Sequence, residues 1–347
     1  MFFLLVLCLN FIPCKFMETT FAIEAPHGKT IQIPTDFVPE NDIYSNLKTE
    51  AAIKKYYEDN GYVVLRGLIP TNLCDDARKA FESEVKPYND FIYRQASANP
   101  EKHKFTAHNY MLNSILNVQD LDKSKFLKFN QFGTEILTHK NVQNALKNLM
   151  GEPAKMVQTM YFEGNPATWA HQDSYYLDAS TLGRMVAIWV AVEDIAPGAG
   201  RFYVYPTSHQ IDMDKNGGDF DIAFHHDRYK KLVLDIIHKF DLQCVAPALK
   251  KGDVLLWHGK TIHGSLKTTQ PQFSRSSYTG HYIPTSCDFL QYQSRIKPMN
   301  LREVNGMQVN FPKDQNELKN QIMMKVETTF PKSFQFAKKL AIKMVTK

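Results

Sequence analysis

Six short segments share a composition that restricts the fold more than any other feature of the chain. Each is rich in β-branched and aromatic residues and is bounded by glycine, proline or aspartate. The segments read AKMVQTMYFEG, RMVAIWVAVEDI, RFYVYPTS, GDVLLWHG, TIHGSLK and SRSSYTGHYIP. Short strands at such close spacing are typical of an antiparallel sandwich or barrel. The sequence therefore predicts a mainly β core.

Helical patterns precede and interrupt these strands. Residues 48–62 carry apolar side chains at helical spacing and end at an Asn-Gly pair, and a second helix is predicted from Thr71. Residues 123–150 are predicted to be helical up to Gly151, and residues 219–241 form a helical insertion between strands. We expect these helices to flank one β core in a single domain.

The bulk composition excludes several classes of protein. The 347 residues are 44% hydrophobic and 22% charged, as in ordinary globular domains. The net charge is only +5, from 41 basic and 36 acidic residues, which argues against a nucleic-acid-binding face. The five cysteines are widely spaced and odd in number. They fit neither a disulfide framework nor a zinc finger, so we expect reduced thiols.

The N-terminal run FFLLVLCLNFIP has more than one interpretation. It is too short to cross a bilayer, and no other run approaches membrane length. It resembles the core of a signal peptide, but no Lys or Arg precedes it, and Met17 is an alternative start. We treat residues 1–16 as a leader and favour a cytoplasmic location, with secretory or organelle targeting as the alternative.

The stretch WAHQDSYYLD places His171 and Asp173 two positions apart. On a strand, side chains two apart project from the same face, so the imidazole and the carboxylate would point together. One more imidazole would complete the facial triad of non-heme ferrous oxygenases, which leaves coordination positions open. A His-x-Asp triplet is common by chance, so the interpretation needs a third ligand from elsewhere in the chain.

The segment KGDVLLWHGKTIHGSLK offers two histidines as that ligand. His258 alternates with Leu256 and Val254 and could be a packed strand residue, whereas His263 is followed by Gly-Ser. Further along lies Arg275, whose guanidinium can bind a carboxylate at two points. An enzyme that uses a dicarboxylic keto-acid needs such a group at the far end from its metal.

Four segments, in order, resemble the phytanoyl-CoA dioxygenase family. They are YYEDNGYVVLRGLIPTNLCDDARKAF, WAHQD, AIWVAVEDIAPGAGRFYVYPTSHQ, and GDVLLWHGKTIHGS followed by Arg275. The resemblance implies a double-stranded β-helix, which is a jelly-roll or cupin-like core with flanking helices, in a dioxygenase domain at residues 45–300. Residues 301–347 would form a helical tail packed on, or extending from, the same domain.

The same resemblance implies cofactors and site residues. The cofactors are Fe(II) and 2-oxoglutarate as co-substrate, with ascorbate as a stimulant. His171, Asp173 and His263 match the iron ligands, which favours His263 over His258. Arg275 matches the group that binds the distal carboxylate of 2-oxoglutarate. Other positions that match the co-substrate pocket are Ser265, Gln172, Trp189 and Met160.

The expected reaction converts 2-oxoglutarate and dioxygen to succinate and CO2 and attacks an unactivated C–H of a small molecule, by hydroxylation, desaturation or oxidative ring closure. Arg201 follows PGAG where the family usually has a small or apolar residue near the active site, so an anionic substrate is predicted. Tyr175, Tyr176 and Arg184 are further candidates for the cavity wall.

The remaining histidines receive weaker roles. His209 is expected to be a structural residue at a turn, and His225 and His226 match no motif, while His281 shares a strand face with Arg275.

Two alternatives come from other classes of protein, a catalytically silent jelly-roll ligand-binding protein and a zinc hydrolase with the same ligands. The complete set of three ligands and Arg275 argues against the first. The second would need a general-base Glu beside the ligand strand, which is not evident, and would give Arg275 no role.

Overall fold

The computed structural model describes residues 19–39, 41–218, 222–334 and 336–337. The predicted leader at residues 1–16 lies outside these residues, as does the end of the predicted tail, residues 338–347. Within the described part, no helix has the combination of length and apolarity that a bilayer crossing requires.

The strands and helices of the described residues are labelled in chain order. The strands are β1 Thr20–Glu24, β2 Thr30–Pro34, β3 Tyr62–Leu65, β4 Ile92–Tyr93, β5 Pro100–Glu101, β6 Ile115–Leu116, β7 Ala154–Phe162, β8 Leu177–Ala179, β9 Val186–Ala191, β10 Phe202–Val204, β11 Val254–His258, β12 His263–Ser265, β13 Ser277–Pro284, β14 Phe289–Gln291, β15 Arg295–Ile296, β16 Leu301–Val304 and β17 Met307–Asn310. The helices are α1 Glu50–Asn60, α2 Thr71–Ala80, α3 Leu127–Leu137, α4 Lys140–Met150, α5 Ile222–Lys239 and α6 Leu318–Thr329.

One large sheet forms the centre of the molecule. Its strand order is β16-β17-β7-β13-β9-β11-β3, and β6 also pairs with β7. Strands β9 and β13 are buried along their whole length because both faces of the sheet are covered. Ile188 of β9 packs in the same cluster as side chains of α2, α3 and α4, whereas Trp189 faces the other side and packs near β10. A strand covered on both faces reads as a continuous apolar run, as β9 does.

The helices begin and end near the positions that the sequence indicates. The Thr49 hydroxyl caps α1 by accepting the amide of Ala52 at 3.1 Å, and Gly61 ends the helix with a φ of +77°, a conformation that glycine adopts without strain. The helical region at residues 123–150 is divided into α3 and α4, because the chain leaves helical geometry at Thr138 and His139.

The C-terminal part differs from the predicted helical tail at its start. Strands β16 and β17 form an antiparallel hairpin, and β17 pairs in parallel with β7, so this segment extends the large sheet. Helical structure begins only with α6 at Leu318.

A smaller sheet lies against the face of the large sheet that carries Trp189 and Trp257. Strand β10 pairs with β12, so that Val204 lies opposite His263, and His263 forms a further bridge to His171. The side chain of Phe202 packs with Trp189 and Trp257 of the large sheet. These two sheets, together with the helices outside them and three further small sheets, give the mainly β architecture that the sequence predicts.

Candidate metal centre and co-substrate pocket

His171 and His263 lie side by side because their backbones pair. The amide of His171 donates to the carbonyl of His263 at 3.0 Å, and the amide of His263 donates to the carbonyl of His171 at 2.9 Å. Residues paired directly across two strands project their side chains from the same face. The two imidazoles, distant in the sequence, therefore meet with their ring centroids 4.4 Å apart.

Asp173 completes a three-residue cluster. The intervening Gln172 is extended, with φ −109° and ψ 133°, so residues 171 and 173 face the same side although Asp173 itself begins a short 3-10 turn. One Asp173 carboxylate oxygen, Oδ1, lies 3.5 Å from Nε2 of His171 and 3.6 Å from Nε2 of His263. One ligand atom from each residue lies within 4.8 Å of the other two. The structure thus brings the three predicted metal ligands together.

The protonation of this cluster suits a metal ion. Nδ1 of His171 lies 2.8 Å from the carbonyl of Trp169, and Nδ1 of His263 lies 2.9 Å from that of Thr261. A carbonyl only accepts hydrogen bonds, so each Nδ1 carries the proton and each Nε2 keeps a lone pair that faces Asp173. Burial lowers the pKa of His263 to about 4, which keeps its imidazole neutral at physiological pH. Two neutral imidazoles and one carboxylate are the donor set that Fe(II) takes in non-heme oxygenases.

The Asp173 carboxylate is buried but ionised. Burial by itself raises its pKa, yet the imidazoles of His263 and His281 more than offset this effect and hold the pKa well below its usual range. Its second oxygen, Oδ2, accepts the indole N–H of Trp257 at 2.8 Å. The carboxylate therefore offers one oxygen to the cluster while the other is held by the protein.

Arg275 lies on the same cavity as the cluster and has no acidic partner among the described residues. Its side chain is 2% exposed and Nη1 donates to the carbonyl of Gly200 at 3.2 Å, while Nε has no hydrogen-bond partner within the part of the chain that the structure describes. The guanidinium lies over the rings of Phe162 and Trp189, 5.3 and 5.9 Å from their centroids. Burial lowers its pKa to about 9, so it stays protonated at neutral pH. A buried cation without a counter-ion is costly, and a bound carboxylate would remove that cost.

The cluster and Arg275 line one cavity of about 370 Å³, which is large enough for a small ligand. The predicted pocket residues that line it are Met160, Tyr176, Trp189 and Ser265, together with the three cluster residues and Arg275. The indole N–H of Trp189 is buried and has no partner among the residues that the structure describes, and Ser265 Oγ accepts the amide of Thr168 at 2.8 Å. The cavity thus contains hydrogen-bonding groups beside both Arg275 and the cluster.

Two predicted site residues face away from this cavity. The Gln172 side chain is buried on the other side of its strand and donates to the carbonyl of Lys260 at 2.6 Å. Tyr175 stacks on Tyr229, with ring centroids 3.8 Å apart, in an apolar cluster behind the site. Gln172 points away because it alternates with His171 and Asp173 on extended backbone. Tyr175 lies in the short 3-10 turn Asp173–Tyr175, where that alternation does not apply, and its ring packs behind the cavity wall.

Arg201 does not lie where a substrate contact was predicted. Its side chain is buried, and its guanidinium donates to the carbonyls of Pro34, Thr35 and Ile195. It is absent from the described residues that line the cavity. The arginine ties the end of β2 to the loop before β10, and this structural role replaces the predicted one.

Replacing Arg201 with methionine is expected to destabilise the fold. The variant keeps the apolar stem but removes the arginine donors from the buried carbonyl of Ile195 and the half-buried carbonyls of Pro34 and Thr35, which costs about 3 kcal/mol of unfolding free energy. Chemical denaturation measures the loss, and KM values of the folded enzyme should stay near those of the unchanged protein. A higher substrate KM at unchanged stability would instead restore the predicted substrate role.

The other candidate histidine does not join the cluster. His258 is half-buried, its Nδ1 accepts the amide of Lys260 at 3.0 Å, and its ring packs near His209. The predicted structural role of His209 agrees with its contact to the carbonyl of Glu58 at 3.0 Å. Arg184 pairs with Glu152 at 3.0 Å and is likewise absent from the described cavity wall.

Two histidines line the cavity without a motif to indicate them. His281 contacts Asp173, and its position on the strand face of Arg275 was a usable signal. His226 lies on α5 and its Nε2 is 2.8 Å from the Tyr176 hydroxyl. Nothing in the sequence pattern shows that the inserted helix reaches the site. The residue before His226, His225, is exposed.

The family model for phytanoyl-CoA dioxygenase (PhyH) matches residues 57–277, which is more than half of the chain. The match includes the three cluster residues and Arg275. The chain belongs to the phytanoyl-CoA dioxygenase family. It is therefore a 2-oxoglutarate-dependent non-heme iron dioxygenase, with Fe(II) as its metal and 2-oxoglutarate as its co-substrate. The resemblance read from the four sequence segments is confirmed.

Individual relatives are distant but cover most of the chain. Phytanoyl-CoA dioxygenase domain-containing protein 1 of Danio rerio is 26% identical over 274 residues, which are 69% of this chain and 91% of the relative. The peroxisomal phytanoyl-CoA dioxygenase of Homo sapiens is 24% identical over 275 residues, which are 74% of this chain and 75% of the relative.

The solved structures bear on the fold. EctD from S. alaskensis, determined with 2-oxoglutarate and 5-hydroxyectoine, is 16% identical to this chain and superposes with a TM-score of 0.51. The superposition covers 88% of this chain and 95% of EctD. This likeness confirms the predicted jelly-roll core with flanking helices.

Proposed function

We propose that this enzyme holds Fe(II) with His171, Asp173 and His263 and oxidises an unactivated C–H of a small molecule. The proposal rests on one observation: this cluster and Arg275, whose guanidinium has no acidic partner within the described part of the chain, line one cavity. When bound, the ferrous ion supplies the redox chemistry that couples decarboxylation of 2-oxoglutarate, giving succinate and CO2, to attack on the substrate. Hydroxylation is the simplest outcome of that chemistry.

The side chains around the cavity would orient the co-substrate. Arg275 binds the distal carboxylate of 2-oxoglutarate, which points the keto-acid end toward the cluster. The hydroxyl of Ser265 and the free indole N–H of Trp189 are donors available to the same molecule. Met160 and the rings of Phe162 and Phe202 form an apolar part of the cavity wall, which excludes water from the reacting groups.

The substrate itself is proposed to be a small molecule bound mainly through neutral groups. The predicted anionic character rested on Arg201, which is occupied elsewhere in the fold. Among the described residues of the cavity wall, Arg275 is the single arginine or lysine. The polar groups remaining for a substrate include the side chains of Gln95, Gln158, Thr168, Tyr176, His226 and Thr279.

The proposal is tested by succinate formation from 2-oxoglutarate in the presence of ferrous iron, ascorbate and dioxygen. We expect slow formation without a primary substrate and stimulation by molecules that bind the cavity. The variant His263→Gln should reduce the rate to background because it removes a metal ligand. The matched variant His258→Gln should retain it, because His258 lies outside the cluster.

A metal-loaded, folded protein that forms no succinate under these conditions would support the alternative of a silent ligand-binding protein. Equal loss of activity in both histidine variants would show that His263 has no special role. Screening small molecules for stimulated decarboxylation then identifies the substrate.

A further inference from the structure

His281 is placed by its strand so that it reaches the metal ligand Asp173. In β13 alternate residues face the cavity, and both Thr279 and His281 line it. The pairing of β13 with β7 shifts register directly after His281, where the partner position moves from Gln158 to Met156. Such a bulge re-aims side chains locally and is common beside active sites. The His281 side chain is 2% exposed, and its Nε2 lies 3.3 Å from Oδ2 of Asp173.

The hydrogen bond from His281 has a definite direction. Oδ2 of an ionised carboxylate can only accept, so Nε2 must carry the proton. Nδ1 of His281 is buried and has no hydrogen-bond partner among the described residues, which is tolerable for a lone pair but costly for an N–H group. Both ends of the ring therefore indicate the tautomer with its proton on Nε2.

Consequently, one carboxylate oxygen of Asp173 accepts two hydrogen bonds, and the other faces the two histidines of the cluster. Oδ2 receives the indole N–H of Trp257 at 2.8 Å and the N–H of His281 at 3.3 Å, while Oδ1 faces Nε2 of His171 and Nε2 of His263. A carboxylate with one oxygen satisfied by the protein can coordinate a metal through the other oxygen alone. Without those donors it is free to rotate or to bind through both oxygens.

We propose that His281 is a positioning residue that acts with Trp257 to hold Asp173 as a single-oxygen metal ligand. This inference rests on the proposed function only in taking Asp173 as a ligand. Its consequence is that one more coordination position stays open for the co-substrate than a two-oxygen carboxylate would leave.

The test measures Co(II) binding to the metal-free protein, because Co(II) is stable in air and its visible spectrum reports coordination. Removing the donor with His281→Phe should weaken Co(II) binding by about 10-fold, the lower end of the range for outer hydrogen-bonding partners of metal ligands. The visible spectrum should also change, since the carboxylate changes its mode of coordination. His281→Gln keeps an N–H donor and should recover part of the affinity and of the spectrum.

Two further variants separate this inference from the proposed function. His258→Gln removes a histidine that is not among the described residues lining the cavity and does not touch Asp173, and it should bind Co(II) as the unchanged protein does. Asp173→Ala should lose binding altogether if Asp173 is a ligand. The role of His281 is overturned, and the metal site stands, if Asp173→Ala loses Co(II) while a folded variant without the donor shows unchanged affinity and spectrum. That variant is His281→Phe, or His281→Leu where the phenylalanine variant does not fold. If Asp173→Ala still binds normally, both proposals fail.

Discussion

Replacing Asp173 with alanine is expected to remove the stabilisation that a bound metal gives to this protein. The variant deletes the single anionic ligand of the cluster and leaves two neutral imidazoles. Losing a residue that only hydrogen-bonds to a metal ligand lowers metal affinity by up to about 100-fold, so losing a ligand itself should lower it by more. At a Co(II) concentration 100-fold above its dissociation constant, the unchanged protein gains about 2.7 kcal/mol of unfolding free energy. For the variant the gain should be below about 0.4 kcal/mol at the same concentration. Thermal or chemical unfolding with and without metal measures both values.

The matched control is another buried aspartate outside the cluster. Asp120 lines a separate cavity, and burial raises its pKa to about 8, so its carboxyl is largely protonated at neutral pH. The variant Asp120→Asn replaces it with a neutral group of the same shape and should keep the full metal-dependent gain. A gain in Asp173→Ala equal to that of the control would mean that metal binds elsewhere.

The parts of the site that the sequence predicts are those governed by strand periodicity. His171 and Asp173 lie two apart on extended backbone, and this alone brings an imidazole and a carboxylate to one side. The choice of His263 over His258 came from the family resemblance, and the structure explains it through the backbone pairing of His171 with His263. Pairing between distant segments leaves no local signal in either of them.

The predictions that were wrong concern side chains whose surroundings are set by tertiary packing. Arg201 follows the PGAG turn near the active site, as the sequence indicates. Its guanidinium, however, donates to the carbonyls of Pro34 and Thr35 at the end of the N-terminal hairpin instead of facing the cavity. Tyr175 and Tyr176 are adjacent and of one residue type, yet Tyr175 packs behind the site and Tyr176 lines it. The inserted helix brings His226 to Tyr176, a contact across 50 positions that no periodicity reports.

Replacing Arg275 with methionine is expected to raise the KM for 2-oxoglutarate by about 100-fold. The guanidinium is buried and its Nε has no hydrogen-bond partner among the described residues, so a bound carboxylate would be desolvated and paired there. Truncating one partner of such a pair costs about 3 kcal/mol, which corresponds to about 100-fold in affinity. Arg275→Lys keeps the charge but loses the planar fork, so it should recover only part of the affinity. Succinate formation at varied 2-oxoglutarate concentration measures each KM.

The cause of that loss can be assigned with a shorter co-substrate. Pyruvate has the keto-acid end of 2-oxoglutarate but lacks its distal carboxylate, so the unchanged enzyme should prefer 2-oxoglutarate strongly, whereas Arg275→Met should bind the two acids about equally. Co(II) affinity should not change, because Arg275 lies outside the three-ligand cluster. Arg184→Met removes a partly exposed arginine that pairs with Glu152, and it should leave the KM for 2-oxoglutarate unaltered. If Arg275→Met still discriminates against pyruvate as the unchanged enzyme does, another group binds the distal carboxylate, and the assignment of Arg275 is wrong while that of the metal ligands is unaffected.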